Sequence, residues 1–175
     1  MNTEPGSIHY AVVDDNQLDA EGRLKIIISS SSSKAGAFAA RIGSLGAGND
    51  RGVLFLPDKG DQVLVAFVNG APGEPVVIGG VWSRKSKPPA ANSDDKNDVK
   101  VIKTRRGNLI RITDKEDDEK IEIITTAKGT VTIQGKQITL DGDVSVTGNV
   151  SVDGKLVVGK SSKTTIDGNK ITGGS

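Results

Sequence analysis

The side chains able to do chemistry are few and scattered. His9 is the single histidine of the chain, and cysteine is absent. A histidine base needs a nucleophile to activate and a third group to orient it. No serine here lies in a nucleophile-elbow sequence, so His9 reads as an ordinary strand residue. "DDNQLD" at 14–19 spaces its oxygens somewhat like a calcium loop, but it lacks the loop glycine and the closing glutamate and reads as a turn. "DKEDDE" at 114–119 is a charge run of the kind that keeps a hairpin solvated. "GAGNDRG" at 46–52 is glycine-rich without the Lys-Ser/Thr of a phosphate loop, and no helix follows. Asp141, Asp143, Asp153 and Asp167 neighbour turn glycines, where aspartate bonds its own backbone. The sequence predicts no catalytic residue, no cofactor and no metal site, and the chain is expected not to be an enzyme.

Chemistry being scarce, the elements carry the information. Residues 1–90 hold nine Lys/Arg against nine Asp/Glu, and residues 91–175 hold fourteen against thirteen. Neither half has the electropositive footprint of a nucleic-acid or anionic-membrane binder. No apolar run approaches membrane-spanning length, and "MNTEPGSIHY" lacks the regions of a secretory signal; assembly in the cytoplasm is expected. All five aromatic residues (Tyr10, Phe38, Phe55, Phe67, Trp82) precede residue 83, so the rest of the chain buries only aliphatic side chains. That is a change of architecture within one chain.

Four segments follow. Residues 1–7 are an N-terminal extension. Residues 8–82 contain β-branched or alternating runs ("IHYAVV", "RLKIIIS", "FAARIG", "QVLVAFV", "PVVIGGVW") separated by turn clusters, which predicts five or six strands in a small closed barrel. The serine run at 29–33 is read as a loop between the second and third strands. Residues 83–98, with Pro88-Pro89 and little to bury, are a linker. From 99 to 175 the pattern is strands only, first "VKVIKT", "NLIRIT" and "KIEIITT", then short units of about six residues. "TDKEDDEK" at 113–120 joins two of these strands.

The short units cannot fold alone. Ordering costs roughly 1–2 kcal/mol of backbone entropy per residue. A covered aliphatic side chain returns about 1.5–3 kcal/mol, but a flat ribbon covers none. Stacked coils of one chain or several chains around one axis would solve this. A single-chain β-helix of six-residue units needs three faces per coil, and the three to five clean units here fill fewer than two coils. An intertwined trimer is the better reading. Val131, Ile133, Ile138, Leu140, Val144, Val146, Val150, Val152, Leu156, Val158 and Ile166 are then expected to face the threefold axis. Gly135, Gly142, Gly148 and Gly154 take the corners, where glycine permits positive φ and close backbone approach. Strand parity is open to a one-residue slip near Val157.

"AGNDRGVLFLPDKGDQVLVAFVNGAPGEPVVIGGVW" (47–82) resembles the OB-fold segment of the VgrG and phage baseplate assembly protein V family, the central spikes of contractile injection systems. The matching elements are Gly52, Phe55, Leu56-Pro57, Asp58 to Asp61, Val63 to Phe67, Pro75 to Gly79 and Trp82, with "GRLKIII" upstream. "TRRGNLIRITDKEDDEKIEIITT" (104–126) is similar to the family's entry into its trimeric β-prism.

The resemblance implies an all-β chain: an N-terminal OB-fold barrel followed by a C-terminal trimeric β-prism or β-helix needle that pierces a target membrane mechanically. It implies a baseplate hub protein and tube at the OB-fold end and, at the far end, a tip that is either bare or capped by a PAAR-type protein. With seven residues ahead of the barrel, the hub is expected on another polypeptide, unless the chain is a shortened piece of a longer one. The 16-residue linker leaves no room for a lysozyme domain, and the repeats lack the His-x-His of metal-tipped spikes. The competing classes are weaker. A hexapeptide-repeat acyltransferase needs a histidine within the repeats, and an OB-fold nucleic-acid module needs aromatics on an electropositive face.

Overall fold

The computed structural model describes residues 8–30, 33–68 and 73–157, with the side chains of 29, 30 and 33–35 excepted. Among these residues there is no α-helix. The chain divides into two compact units, Met1–Gly129 and Thr130–Ser175.

Five strands close a barrel: β1 (Ile8–Asp15), β2 (Leu24–Ser30), β3 (Ser33–Ile42), β4 (Gln62–Phe67) and β5 (Pro75–Gly80). The order is β1-β2-β3-β5-β4, with β4 returning to β1. All pairings are antiparallel except β3 with β5, which run parallel through Arg41↔Val76 and Ile42↔Val77. Alternation decides which side faces in. Ala11 and Val13 of β1, Leu24, Ile26 and Ile28 of β2, Ala40 of β3, Val63, Val65 and Phe67 of β4 and Val77 of β5 are buried together, with Phe38 and Ile42 packed against them. Register shifts at Val13/Asp15, Ile28/Ser30 and Leu64/Val65 supply the extra local twist that curling a sheet of short strands requires.

The barrel has two distinct ends. At one lie the chain's entry at Ile8, the β2–β3 turn and the β4–β5 connection; at the other lie the 16–23 loop, the long 43–61 loop and the exit after Gly80. Of the serine run, Ser29, Ser30 and Ser33 are strand rather than loop, because β2 continues to Ser30 and pairs there with Ser33, the first residue of β3. Small hydroxyl residues at a hairpin end are compatible with either state, and the ladder decides.

Beyond 83–98, which carries no strand, β6 (Val99–Lys103), β7 (Leu109–Thr113) and β8 (Lys120–Ile124) form an antiparallel meander. The acidic segment 114–119 is the β7–β8 hairpin loop, with Asp117 at φ 63° in its turn. Gly129 closes the unit through a backbone bond to Thr126 O (2.7 Å). A Cβ there would lie 2.5 Å from the Thr125 Cβ, so the turn requires glycine.

Residues 130–157 form no strand ladder within the single chain. They bend at 135–136, 142, 147–148 and 153–154. A ribbon with no neighbour has nothing to donate its backbone bonds to, which is why the strand-like units do not pair by themselves.

Candidate functional site

The scattered polar groups are each committed locally. His9 pairs in register with Val65, and its ring meets Phe67 edge-on with centroids 5.5 Å apart; it is a barrel strand residue. In the 16–23 loop, Asp19 Oδ1 accepts the backbone N–H of Glu21 and of Arg23, both at 2.9 Å, while Oδ2 takes Arg23 Nε at 2.8 Å. The Arg23 amide is the main reason the Asp19 carboxyl is held below the usual carboxylate range. Asp14 is lowered for a different reason, a direct bond from Lys25 Nζ at 2.8 Å, which also raises the Lys25 ammonium. Asp15 accepts from Gln17 N at 3.0 Å. These carboxylates serve turn and strand, so "DDNQLD" gathers no cation cage.

The hairpin acids are likewise divided, Asp118 to Lys120 at 3.1 Å and Asp114 to Lys100. "GAGNDRG" is a tight loop: Gly48 and Arg51 bridge each other, Asp50 takes φ 53° and Gly52 φ 136°. Among the described residues, no three His, Cys, Asp or Glu side chains gather where they could hold a metal ion.

Apolar surface is what remains unsatisfied; besides single residues on the outer barrel wall such as Ile8, Tyr10 and Ile78, it gathers in three places. The first is one face of the meander. Residues directly opposite in an antiparallel pair share a face, so the registers put Ile102, Ile110 and Ile123 in one row and Lys100, Ile112 and Ile121 in the next. The five isoleucines remain 39–72% exposed. Lys100 turns to the edge, its Nζ donating to Asn97 O at 3.0 Å and to Asp114. The opposite face is mixed: Arg111 faces Glu122 at 3.5 Å, and Thr113 is buried.

The second place is the run 130–157. Of the residues expected on the axis, Val131, Ile133, Ile138, Leu140, Val144, Val146, Val150, Val152 and Leu156 are 49–73% exposed, and Val157 is as open as Leu156. Val158 and Ile166 lie outside the described residues. Each of Gly135, Gly142, Gly148 and Gly154 falls within a bend, and Gly142 takes φ 133°.

The third place is the exit end of the barrel. Leu45, Leu54, Phe55 and Trp82 stand out of the 43–61 loop and the chain's exit. The 43–61 loop is fixed at its base by Val53 N to Leu45 O (3.2 Å) and by a Ser44 hydroxyl bond to Val53 O. Arg105, in the β6–β7 turn, reaches Asp58 of the same loop at 3.1 Å.

Reading residues 99–126 as strands did not single out the isoleucine face. Its signal was partly present: alternation in "LIRIT" and "KIEII" marks Ile110, Ile112, Ile121 and Ile123, whereas in "VKVIK" it marks Val99 and Val101, and only the register places Ile102 on the isoleucine face.

A five-stranded barrel of order β1-β2-β3-β5-β4, closed by a parallel β3–β5 pair, defines an OB fold. Residues 9–82 match the family model for the Type VI secretion system/phage-baseplate injector OB domain, from His9 on β1 to Trp82 just past β5. The barrel of this chain is therefore similar to that family's OB domain. No curated protein matches the chain.

Proposed function

We propose that this chain is the central spike of a contractile injection system or contractile phage tail, acting as a homotrimer without catalysis. Three copies of residues 99–175 wind into a β-prism or β-helix shaft behind which the OB barrels form a collar, and 83–98 is the linker between them. The collar meets the baseplate hub and tube, the far end carries a PAAR-type cap, and the shaft crosses the target membrane by force. The machine assembles in the cytoplasm and acts as part of a virion, baseplate or extracellular particle.

The observation that carries this is the amount of aliphatic surface left open beyond the linker. The isoleucine face of β6–β8 runs on in sequence into a segment whose every predicted axial residue, within the described part, is exposed. Soluble monomers rarely leave such surface in contact with water. Bends at six- or seven-residue intervals give each copy short straight pieces to lay against its neighbours. The baseplate-injector family of the barrel supports a structural place in such a machine. A needle is also consistent with carboxylates that serve turns and strand edges rather than a reaction.

Native mass spectrometry and sedimentation velocity test the stoichiometry. The full chain is expected as a trimer, and Val150→Asp, which sets three unpaired carboxylates near the axis, is expected to dissociate it. A stable wild-type monomer at micromolar concentration sinks the proposal.

A further inference from the structure

We infer that the exit end of the barrel is itself a self-association surface, so that the collar is held by barrel-to-barrel contact and not only by the shaft. The inference rests on the trimeric reading above and adds a surface to it.

Leu45, Leu54, Phe55 and Trp82 are 79%, 72%, 66% and 65% exposed. They are one patch rather than four accidents. Leu45, Leu54 and Phe55 line a groove of about 680 Å³ together with Leu18. Phe55 then meets Trp82 in a second groove of about 700 Å³, lined also by Pro88, Pro89 and β6. A fully covered aromatic buries ~150–250 Å², so these two-thirds-open rings and the two leucines offer on the order of 500 Å², about one copy's share of a small specific interface of roughly 1,000 Å².

Three features identify the occupant as another copy of this chain. The patch lies at the barrel end from which the chain leaves toward β6–β8 and the repeats, the segment whose uncovered aliphatic rows call for further copies. Barrels tethered by that end to a shared shaft present it to one another. The area fits a protein interface. Finally, the rim mixes signs, with Asp50 and Arg51 beside one groove and Lys87 beside the other, while Arg105 is engaged by Asp58. A polyanion would meet both charges there; a rotated copy of the same rim is complementary to it.

Trp82 is the chain's only tryptophan, so its fluorescence reports this surface alone. In the assembled full-length chain, emission is expected at shorter wavelength, with acrylamide quenching several-fold weaker than in the dissociated Val150→Asp variant. Leu54→Ser/Phe55→Ser is expected to restore quenching while the shaft keeps the protein oligomeric. An oligomer whose Trp82 is as quenchable as in the dissociated variant overturns the inference and leaves the spike reading intact. A monomeric wild type overturns both.

Discussion

Ile110 lies at the centre of the β6–β8 face, opposite Ile102 on one side and Ile123 on the other. It keeps 41% of its surface open in the single chain. Complete burial of such a side chain is worth about 1.5–3 kcal/mol, so covering the open two-fifths yields ~1 kcal/mol per chain and ~3 kcal/mol per trimer. Ile110→Ala forfeits most of this, about 2 kcal/mol per trimer, which raises the trimer dissociation constant on the order of thirtyfold. Ile110→Asp does far more, because each buried carboxylate carries an effective desolvation penalty of several kcal/mol, and three would converge on one apolar column. The meander should survive either change, since an exposed face loses little when its side chain shrinks or gains a charge. Sedimentation velocity over a concentration series is the assay. The expected order is a wild-type trimer, an alanine variant that dissociates on dilution and an aspartate variant that never assembles. If Ile110→Asp sediments as the wild type does at every concentration, this face is not an interface and the energetic argument fails.

Two further outcomes concern the barrel. Ile26 is fully buried against both sheet neighbours, and Ile26→Ala is expected to cost about 2–5 kcal/mol, visible as a lower unfolding midpoint of the barrel in denaturant. Asp14 and Asp19 are held below the ordinary carboxylate range, so each favours the folded state when ionised. Their contribution is complete above the unfolded value and disappears as pH falls through the lowered folded value. Barrel stability should therefore decline on acidification below about pH 4, and Asp19→Asn should flatten part of that decline. A barrel that grows more stable in that range contradicts the assignment.

The barrel was legible because its strands obey a short-range rule. In "QVLVAF", Val63, Val65 and Phe67 alternate inward and the remaining residues point outward, as period two demands. The start of β3 was not legible, because serines suit a turn and a strand end equally well and only the Ser30↔Ser33 pair decides between them. The isoleucine face was half legible. Alternation marks the β7 and β8 isoleucines, but Ile102 and the rows that stand side by side depend on a register set by the β6–β7 and β7–β8 turns.

The exit-end patch was the least legible, and for a different reason. Phe55 and Trp82 carry the family resemblance of the 47–82 segment, which assigns them to the barrel without saying which way they face. In an alternating strand an aromatic usually goes inward, yet these two flank strands rather than lie within them. The loop residues between β3 and β4 obey no period, so only coordinates can separate a core aromatic from one that waits for a partner. Phe38 and Phe67 meet inside the barrel at 5.8 Å between centroids, whereas Phe55 and Trp82 stand outside it at the end from which the chain leaves for its repeats. One composition thus serves two ends: two phenylalanines close the domain, and two other aromatics are left to join it to its copies.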